Sequence, residues 1–319
     1  MVYGLGARCY HIFHDLRKPY RPPVPVISVG NLTVGGTGKT PTVIALTQLV
    51  WKLRPEWGEL NRVAILTRGY GRRSRELVVV SAGSAWEECG DEPILIKRSL
   101  PDAAVVVHPD RVKSARYAVE QLGARCLILD DGFQHRRLAR DLDLVLMDGD
   151  HPVGNGRMIP AGPLREPAAN VRRASLIIGV GDTFEAARKL ATSVGKPFAS
   201  VAPVMTLPQM LLDGRKHKVT ALTSIARPQR FINYLINNRI EIISIAVYPD
   251  HHRFKVSDLS STAAKAHAAG AEAILTTEKD LVRIPHWTSP IPLLAVKMYM
   301  HIRDEVLLSE FLVNTALKT

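Results

Sequence analysis

The sequence predicts an α/β protein: a parallel sheet sandwiched between helices, then a second, smaller α/β/α domain. Three observations predict it. Short apolar runs alternate with helix-like segments through about residue 148, the pattern of parallel strands joined by crossover helices. A glycine-rich loop lies between the first such strand and the first such helix. The alternation then resumes, more loosely, through the second half. A chain of 319 residues suffices for two ordinary domains, and a Gly- and Pro-rich stretch over 151–167 marks the boundary. The expected organisation is an N-terminal segment 1–20, a first domain 21–168 and a second domain 169–319.

In the first segment, Val2, Leu5, Cys9, Ile12, Phe13 and Leu16 fall at helical spacing, with Arg8, His11, His14, Arg17 and Lys18 on much of the rest. This describes a basic amphipathic helix suited to a membrane interface; a helix packed on its own domain fits equally well. The proline-rich 18–25 stops it. The apolar run 24–29 reads as a buried strand. It leads into Gly35, Gly36, Thr37, Gly38, Lys39 and Thr40, with Pro41 suited to a first helical turn over 42–53.

Strand, glycine loop and helix together make a phosphate-binding signature. The loop's N–H groups and the helix N-terminus would face the phosphates. Lys39 would reach the β- and γ-phosphates of ATP, and Thr40 would ligate Mg²⁺. The expected first domain is therefore like that of the P-loop NTPases. The loop is a variant: five residues before Gly38 stands Thr33, not glycine. Its G-G-x-G-K-T core resembles that of the partitioning ATPases, but Val34 occupies the place of their signature lysine.

A strand over 63–66 runs into R-G-Y-G, placing Arg68 at the carboxyl edge of the sheet, where α/β proteins bind ligands. After a strand at 77–80, Asp91 and Glu92 open a helix through 100, where capping is their ordinary role. A strand at 104–107 and a helix at 113–122 follow. The apolar 126–129 then ends in Asp130 and Asp131, the pattern of a strand whose terminal carboxylate holds Mg²⁺. One more strand is expected at 143–147. In the second half, strands are expected at 176–179, 219–222, 241–247, 273–275 and 292–296, and helices at 183–193, 228–237, 257–269 and 303–314. Tyr248-Pro-Asp-His-His-Arg-Phe254 and Thr276-Thr-Glu-Lys-Asp280 leave two of these strands carrying charge. The adjacent histidines lack a third ligand at metal spacing. A general base or its orienting partner fits better, and a capped turn is the plainer alternative.

The net charge of +12 points to an anionic partner. Three scattered cysteines form no C-x-x-C pair, which fits a reducing compartment and gives no metal site. No membrane-length apolar run and no signal-peptide pattern is present, so a cytoplasmic location is expected. A nucleic-acid-binding module is suggested by charge alone and lacks an aromatic-basic or zinc motif. A switch ATPase of the partitioning type is the stronger rival. Val34 and the large second domain count against it.

Seven strings occur in order: G-N-L-T-V-G-G-T-G-K-T-P, R-G-Y-G, G-D-E-P, D-D-G-F-Q-H, P-A-G-P-L-R-E-P, P-D-H-H-x-F and T-E-K-D. Together they resemble the tetraacyldisaccharide 4′-kinase family of lipid A biosynthesis, over residues 24–283. The resemblance implies two α/β/α sandwiches joined by a hinge, with the active site in the cleft between them. It implies transfer of the ATP γ-phosphoryl group to the 4′-hydroxyl of a tetraacylated glucosamine disaccharide 1-phosphate, giving lipid IVA. The enzyme would be a monomer, peripheral on the cytoplasmic face of the inner membrane, with an anionic membrane surface and no nucleic acid as partner. Carried over by motif, Asp91 resembles the catalytic base and His251 its partner, with His252 as the competing histidine. Glu92, Asp130 and Asp131 belong to the metal-proximal acidic group, with the order of the two aspartates left open. His135, Arg165 and Glu166 resemble further cleft residues.

Overall fold

The computed structural model describes residues 18–284 and 287–317. The expected amphipathic helix of residues 1–20 lies almost wholly outside them. In chain order the elements are β1 (Val26–Asn31), α1 (Lys39–Leu53), β2 (Val63–Thr67), β3 (Val78–Val79), α2 (Trp86–Cys89), α3 (Asp91–Ser99), β4 (Ala104–Val107), α4 (Arg111–Glu120), β5 (Cys126–Asp130) and β6 (Leu142–Asp148). Then come β7 (Leu176–Val180), α5 (Glu185–Ser193), β8 (Phe198–Thr206), β9 (Lys218–Thr223), α6 (Pro228–Asn237), β10 (Glu241–Val247), α7 (Val256–Ala268), β11 (Ala273–Thr277), α8 (Glu278–Arg283), β12 (Leu293–Ile302) and α9 (Glu305–Thr315). Among the described residues no helix is long and apolar enough to cross a membrane.

The chain forms two compact units. The first runs to Pro203 and resumes from Met300; the second is Val204–Tyr299. The expected boundary at 168 is displaced, for a physical reason. β7 pairs in parallel with β6, and β8 with β7, so residues 176–201 complete the first sheet. The C-terminal segment also stays with that unit: Asp304 accepts from the Ser200 backbone N–H at 2.8 Å and from its hydroxyl at 2.6 Å. β8 carries little local signal, because Pro203 and a run of small residues break its apolar pattern.

In the first unit the strands lie in the order β8-β7-β6-β1-β5-β2-β4, parallel throughout, with short β3 antiparallel at the edge. Side chains alternate across it. Ala64, Leu66, Val106, Leu127 and Leu129 bury against Ala115 and Ala118 of α4. Elsewhere Phe133, Val145, Met147 and Ile177 bury with Ala187 and Ala191 of α5. Central β1 has β5 on one side and β6 on the other. The chain order reverses there, and α/β sheets bind ligands at the carboxyl ends of strands flanking such a reversal.

The second unit is a parallel sheet in the order β10-β9-β11-β12. Val219, Ala221, Ala273 and Leu275 pack with Phe231 and Leu235 of α6. Leu222 and Ile274 pack with Leu259, Ala263 and Ala266 of α7. This is the smaller helix-sheet-helix unit the sequence predicts.

Candidate active site

The register β1 to β5, with Val29 opposite Asp130, sets the first unit's site. Both strands end at one edge, so the glycine loop leaving β1 meets the carboxylates leaving β5. The loop then turns into α1 through Gly38, which caps the helix at φ 77°. That left-handed conformation is what calls for glycine here.

Thr40, in the first turn of α1, donates its hydroxyl to Asp130 Oδ2 at 3.2 Å. The other oxygen, Asp130 Oδ1, is buried with no hydrogen-bond partner. Burial, with Glu92 and Asp131 nearby, pushes the Asp130 carboxyl up to about 7. An orphaned, enclosed carboxylate oxygen beside a threonine hydroxyl suits a hard divalent cation. No ready-made cluster of three His, Cys, Asp or Glu side chains occurs among the described residues.

Asp131 is placed differently. It sits at φ 55°, and both its oxygens accept from Arg165 Nη1 at 2.9 Å, while Lys39 Nζ lies 3.5 Å from Oδ1. Burial raises its carboxyl, but the Lys39 and Arg165 cations outweigh this and hold it below the ordinary carboxylate range. Asp131 is thus engaged with cations, and Asp130 has the oxygen to spare.

Asp91 begins α3 and is 3% exposed. Its Oδ1 accepts from the Glu92 N–H at 2.9 Å, which orients the carboxylate. The preceding Gly90 approaches R-G-Y-G closely: a Cβ on it would lie 3.1 Å from the Tyr70 carbonyl oxygen. The two motifs therefore run close together here. Arg68 follows β2 with its side chain exposed.

Sequence reasoning passed over Arg111, which proves to be a buried cation of this site. Its Nη2 lies 3.5 Å from the Asp130 carbonyl oxygen, and burial lowers its guanidinium to about 10 despite Asp130 and Asp131 nearby. Burial, then Arg111, also lowers His135 to about 4. His135 is consequently neutral in the fold and protonated in the unfolded chain between pH 4 and its ordinary value near 6.5. This group's stability contribution is full above pH 6.5 and lost as pH falls toward 4. Replacing it, His135→Gln, is expected to shift relative stability in the variant's favour by about 2–3 kcal/mol between pH 7 and pH 4.5. Urea unfolding at the two pH values measures this. Parallel losses in both proteins would contradict it.

Glu166, grouped with the cleft residues on sequence, is fully enclosed, at 0% exposure. It accepts from Gln134 Nε2 at 2.9 Å, from Asn170 Nδ2 at 2.7 Å and from the Arg173 guanidinium. It braces the loop bearing Arg165. Glu166→Ala would strand Arg173 and two amides, costing about 3–5 kcal/mol. A fall in unfolding midpoint with little change in kcat of the folded fraction is the expected signature.

The second unit presents the histidine pair. His252 Nε2 lies 2.9 Å from Asp258 Oδ2, at the start of α7, and its ring stacks on Tyr248 at 4.6 Å. His252 is thus built into the helix start. His251 stands at φ 58°, donates its N–H to the Ser224 carbonyl at 3.2 Å, and has Nε2 3.3 Å from Lys279 Nζ. The T-E-K-D motif divides its labour. Asp280, 0% exposed, accepts from the Thr223, Ser224 and Thr277 hydroxyls and from Arg283. That rivet fixes the carbonyl that His251 uses, and Lys279 meets the ring.

A glycine loop at a helix N-terminus, a lysine within it and an aspartate ending the adjacent strand define a P-loop-type nucleotide-binding protein. Comparison with known proteins narrows the class. The family model LpxK, Tetraacyldisaccharide-1-P 4′-kinase, matches residues 1–316. The tetraacyldisaccharide 4′-kinase of Anaeromyxobacter sp. (strain K) is 42% identical over 287 residues, 83% of this chain and 73% of that one. The corresponding protein of Syntrophus aciditrophicus (strain SB) is 40% identical over 313 residues, 89% and 82% of the two chains. A crystal structure of an "apo" form LpxK from Aquifex aeolicus in complex with ATP superposes with a TM-score of 0.78 at 31% identity, covering 98% of this chain and 96% of that one. This chain belongs to the tetraacyldisaccharide-1-P 4′-kinase family.

Proposed function

We propose that this kinase transfers the γ-phosphoryl group of ATP to the 4′-hydroxyl of a tetraacylated glucosamine disaccharide 1-phosphate, producing lipid IVA. The observation that carries the reading is the convergence of Lys39, Thr40, Asp130 and Asp131 at the mouth of the glycine loop, in a chain of this family. Phosphoryl transfer through a loose transition state needs positioning and charge neutralisation more than covalent chemistry, and this edge offers both. The α1 N-terminus and loop N–H groups would cradle the phosphates. Lys39 would bridge the terminal phosphates, with Asp131 and Arg165 fixing its reach.

Thr40 and Asp130 would hold Mg²⁺, with Glu92 beside them. When bound, the ion would neutralise charge on the β- and γ-phosphate oxygens. The orphaned Asp130 Oδ1 supports assigning the closer carboxylate to Asp130. Asp91 would accept the acceptor hydroxyl's proton, with His251 as its partner. The acceptor is a lipid, so action at the cytoplasmic face of the inner membrane, through reversible surface contact, fits the reading. The net charge of +12 supports attraction to an anionic surface.

The test is label transfer from γ-labelled ATP to detergent-dispersed tetraacyldisaccharide 1-phosphate. A labelled lipid that requires Mg²⁺ supports the proposal; ATP turnover without labelled lipid, in folded enzyme, sinks it. In the same assay Asp130→Asn is expected to raise the Mg²⁺ concentration for half-maximal rate about 10–100-fold. An unchanged Mg²⁺ titration would remove Asp130 from the metal site.

A further inference from the structure

Asn31 closes β1 and is 0% exposed. The hydrogen bonds of its side chain go to the phosphate loop and to the lysine the loop carries. Nδ2 donates to the Thr33 carbonyl at 2.7 Å and to Thr37 Oγ1 at 2.8 Å. Oδ1 accepts from Lys39 Nζ at 3.2 Å. The Asn31 carbonyl in turn accepts from Gln134 Nε2 at 2.8 Å, and the same nitrogen donates to Glu166. One amide thus ties the start of the loop, its middle and its lysine together, and is itself held from behind by side chains of two other motifs.

We propose that Asn31 is a positioning residue that presets the phosphate loop and the Lys39 ammonium for the terminal phosphates of the nucleotide. The assignment rests on the reading that this loop takes ATP. The chemistry explains why an amide is required. Two donors and one acceptor must leave a single planar group, and Asn supplies both kinds. Aspartate could keep the Lys39 contact but would face the Thr33 carbonyl with a second acceptor. Leucine would fill the volume and supply neither. A loop held in its binding geometry beforehand loses less freedom when the nucleotide arrives. The proposal also gives Gln134 and Glu166 a role without placing either against substrate: they keep the end of β1 where Asn31 can reach the loop.

Asn31→Asp and Asn31→Leu test this by steady-state label transfer, first with ATP varied at saturating lipid, then with lipid varied at saturating ATP. The ATP KM is expected to rise about tenfold or more, with the lipid KM within about twofold of wild type. Partial loss of folded enzyme lowers measured turnover but leaves both KM values alone, so the split separates positioning from mere stability. Thr37→Val serves where the Asn31 variants do not fold. It keeps the side-chain shape, removes one of the three bonds, and should raise the ATP KM severalfold. An ATP KM within twofold of wild type in folded Asn31→Asp, or in Thr37→Val if it alone folds, overturns the assignment while leaving the kinase reading intact. A wild-type protein that transfers no label overturns the kinase reading, and this assignment with it.

Discussion

Replacing Lys39 with alanine is expected to lower kcat for phosphoryl transfer about 10²–10³-fold, with the fold retained. The large effect follows from placement. Lys39 opens α1, and its ammonium is held by Asn31 Oδ1 at 3.2 Å and near Asp131 Oδ1 at 3.5 Å. It is a fixed charge aimed at the loop mouth, and preorganised charge is most effective where negative charge develops. The small effect on folding follows from what remains. Asp131 keeps both oxygens on Arg165 at 2.9 Å, so the variant leaves no uncompensated carboxylate. Stability should change by no more than about 1 kcal/mol. Lys39→Arg is not a rescue, since a planar fork cannot occupy a contact built for a point charge. Thermal unfolding beside single-turnover kinetics separates the two quantities. Loss of activity matched by loss of folded protein would show that Lys39 is structural.

Which parts of this arrangement could be read from sequence depends on distance along the chain. The glycine loop, Lys39 and Thr40 are consecutive, and Asp130 ends an unbroken apolar run, so each carries its own local signal. That the two strands run parallel follows from the strand-helix alternation; that they are neighbours is a matter of the fold. The partners of those residues are non-local and left little trace. Asn31 and Gln134 are ordinary amides in sequence; their importance comes from a contact across 103 positions. Arg111 reads as one more surface cation, yet it is 3% exposed beside Asp130. Glu166 stands next to Arg165 and was assigned the same kind of role. The chain bends at these two positions; Arg165 meets Asp131 while Glu166 turns into the protein. The expected boundary at 168 rested on a comparably local signal. A Gly- and Pro-rich stretch looks like a linker, but here the loop over 157–166 is pinned to the segment between β1 and the loop glycines, with Val34 N–H on the Pro163 carbonyl at 2.7 Å and Arg165 N–H on the Leu32 carbonyl at 2.8 Å.

Asp91→Ala and His251→Ala are each expected to reduce kcat about 10²–10³-fold, with the double variant little worse than the poorer single. The premise is that both act on one proton: the carboxylate takes it from the acceptor hydroxyl, and the imidazole fixes or shares it. Each residue has the fixed geometry such a role requires. Asp91 is buried at the first position of α3, with Oδ1 on the Glu92 N–H at 2.9 Å. His251 is anchored through its own N–H to the Ser224 carbonyl, which the buried Asp280 network secures. His252→Ala provides the internal control. Its ring is committed to Asp258 and Tyr248, so its loss should weaken the start of α7 and lower stability, with kcat within a few-fold of wild type. If His252 rather than His251 carried the effect, the motif assignment would be reversed. Fully additive losses in the Asp91–His251 double variant would mean two independent contributions, and the paired role would have to be abandoned.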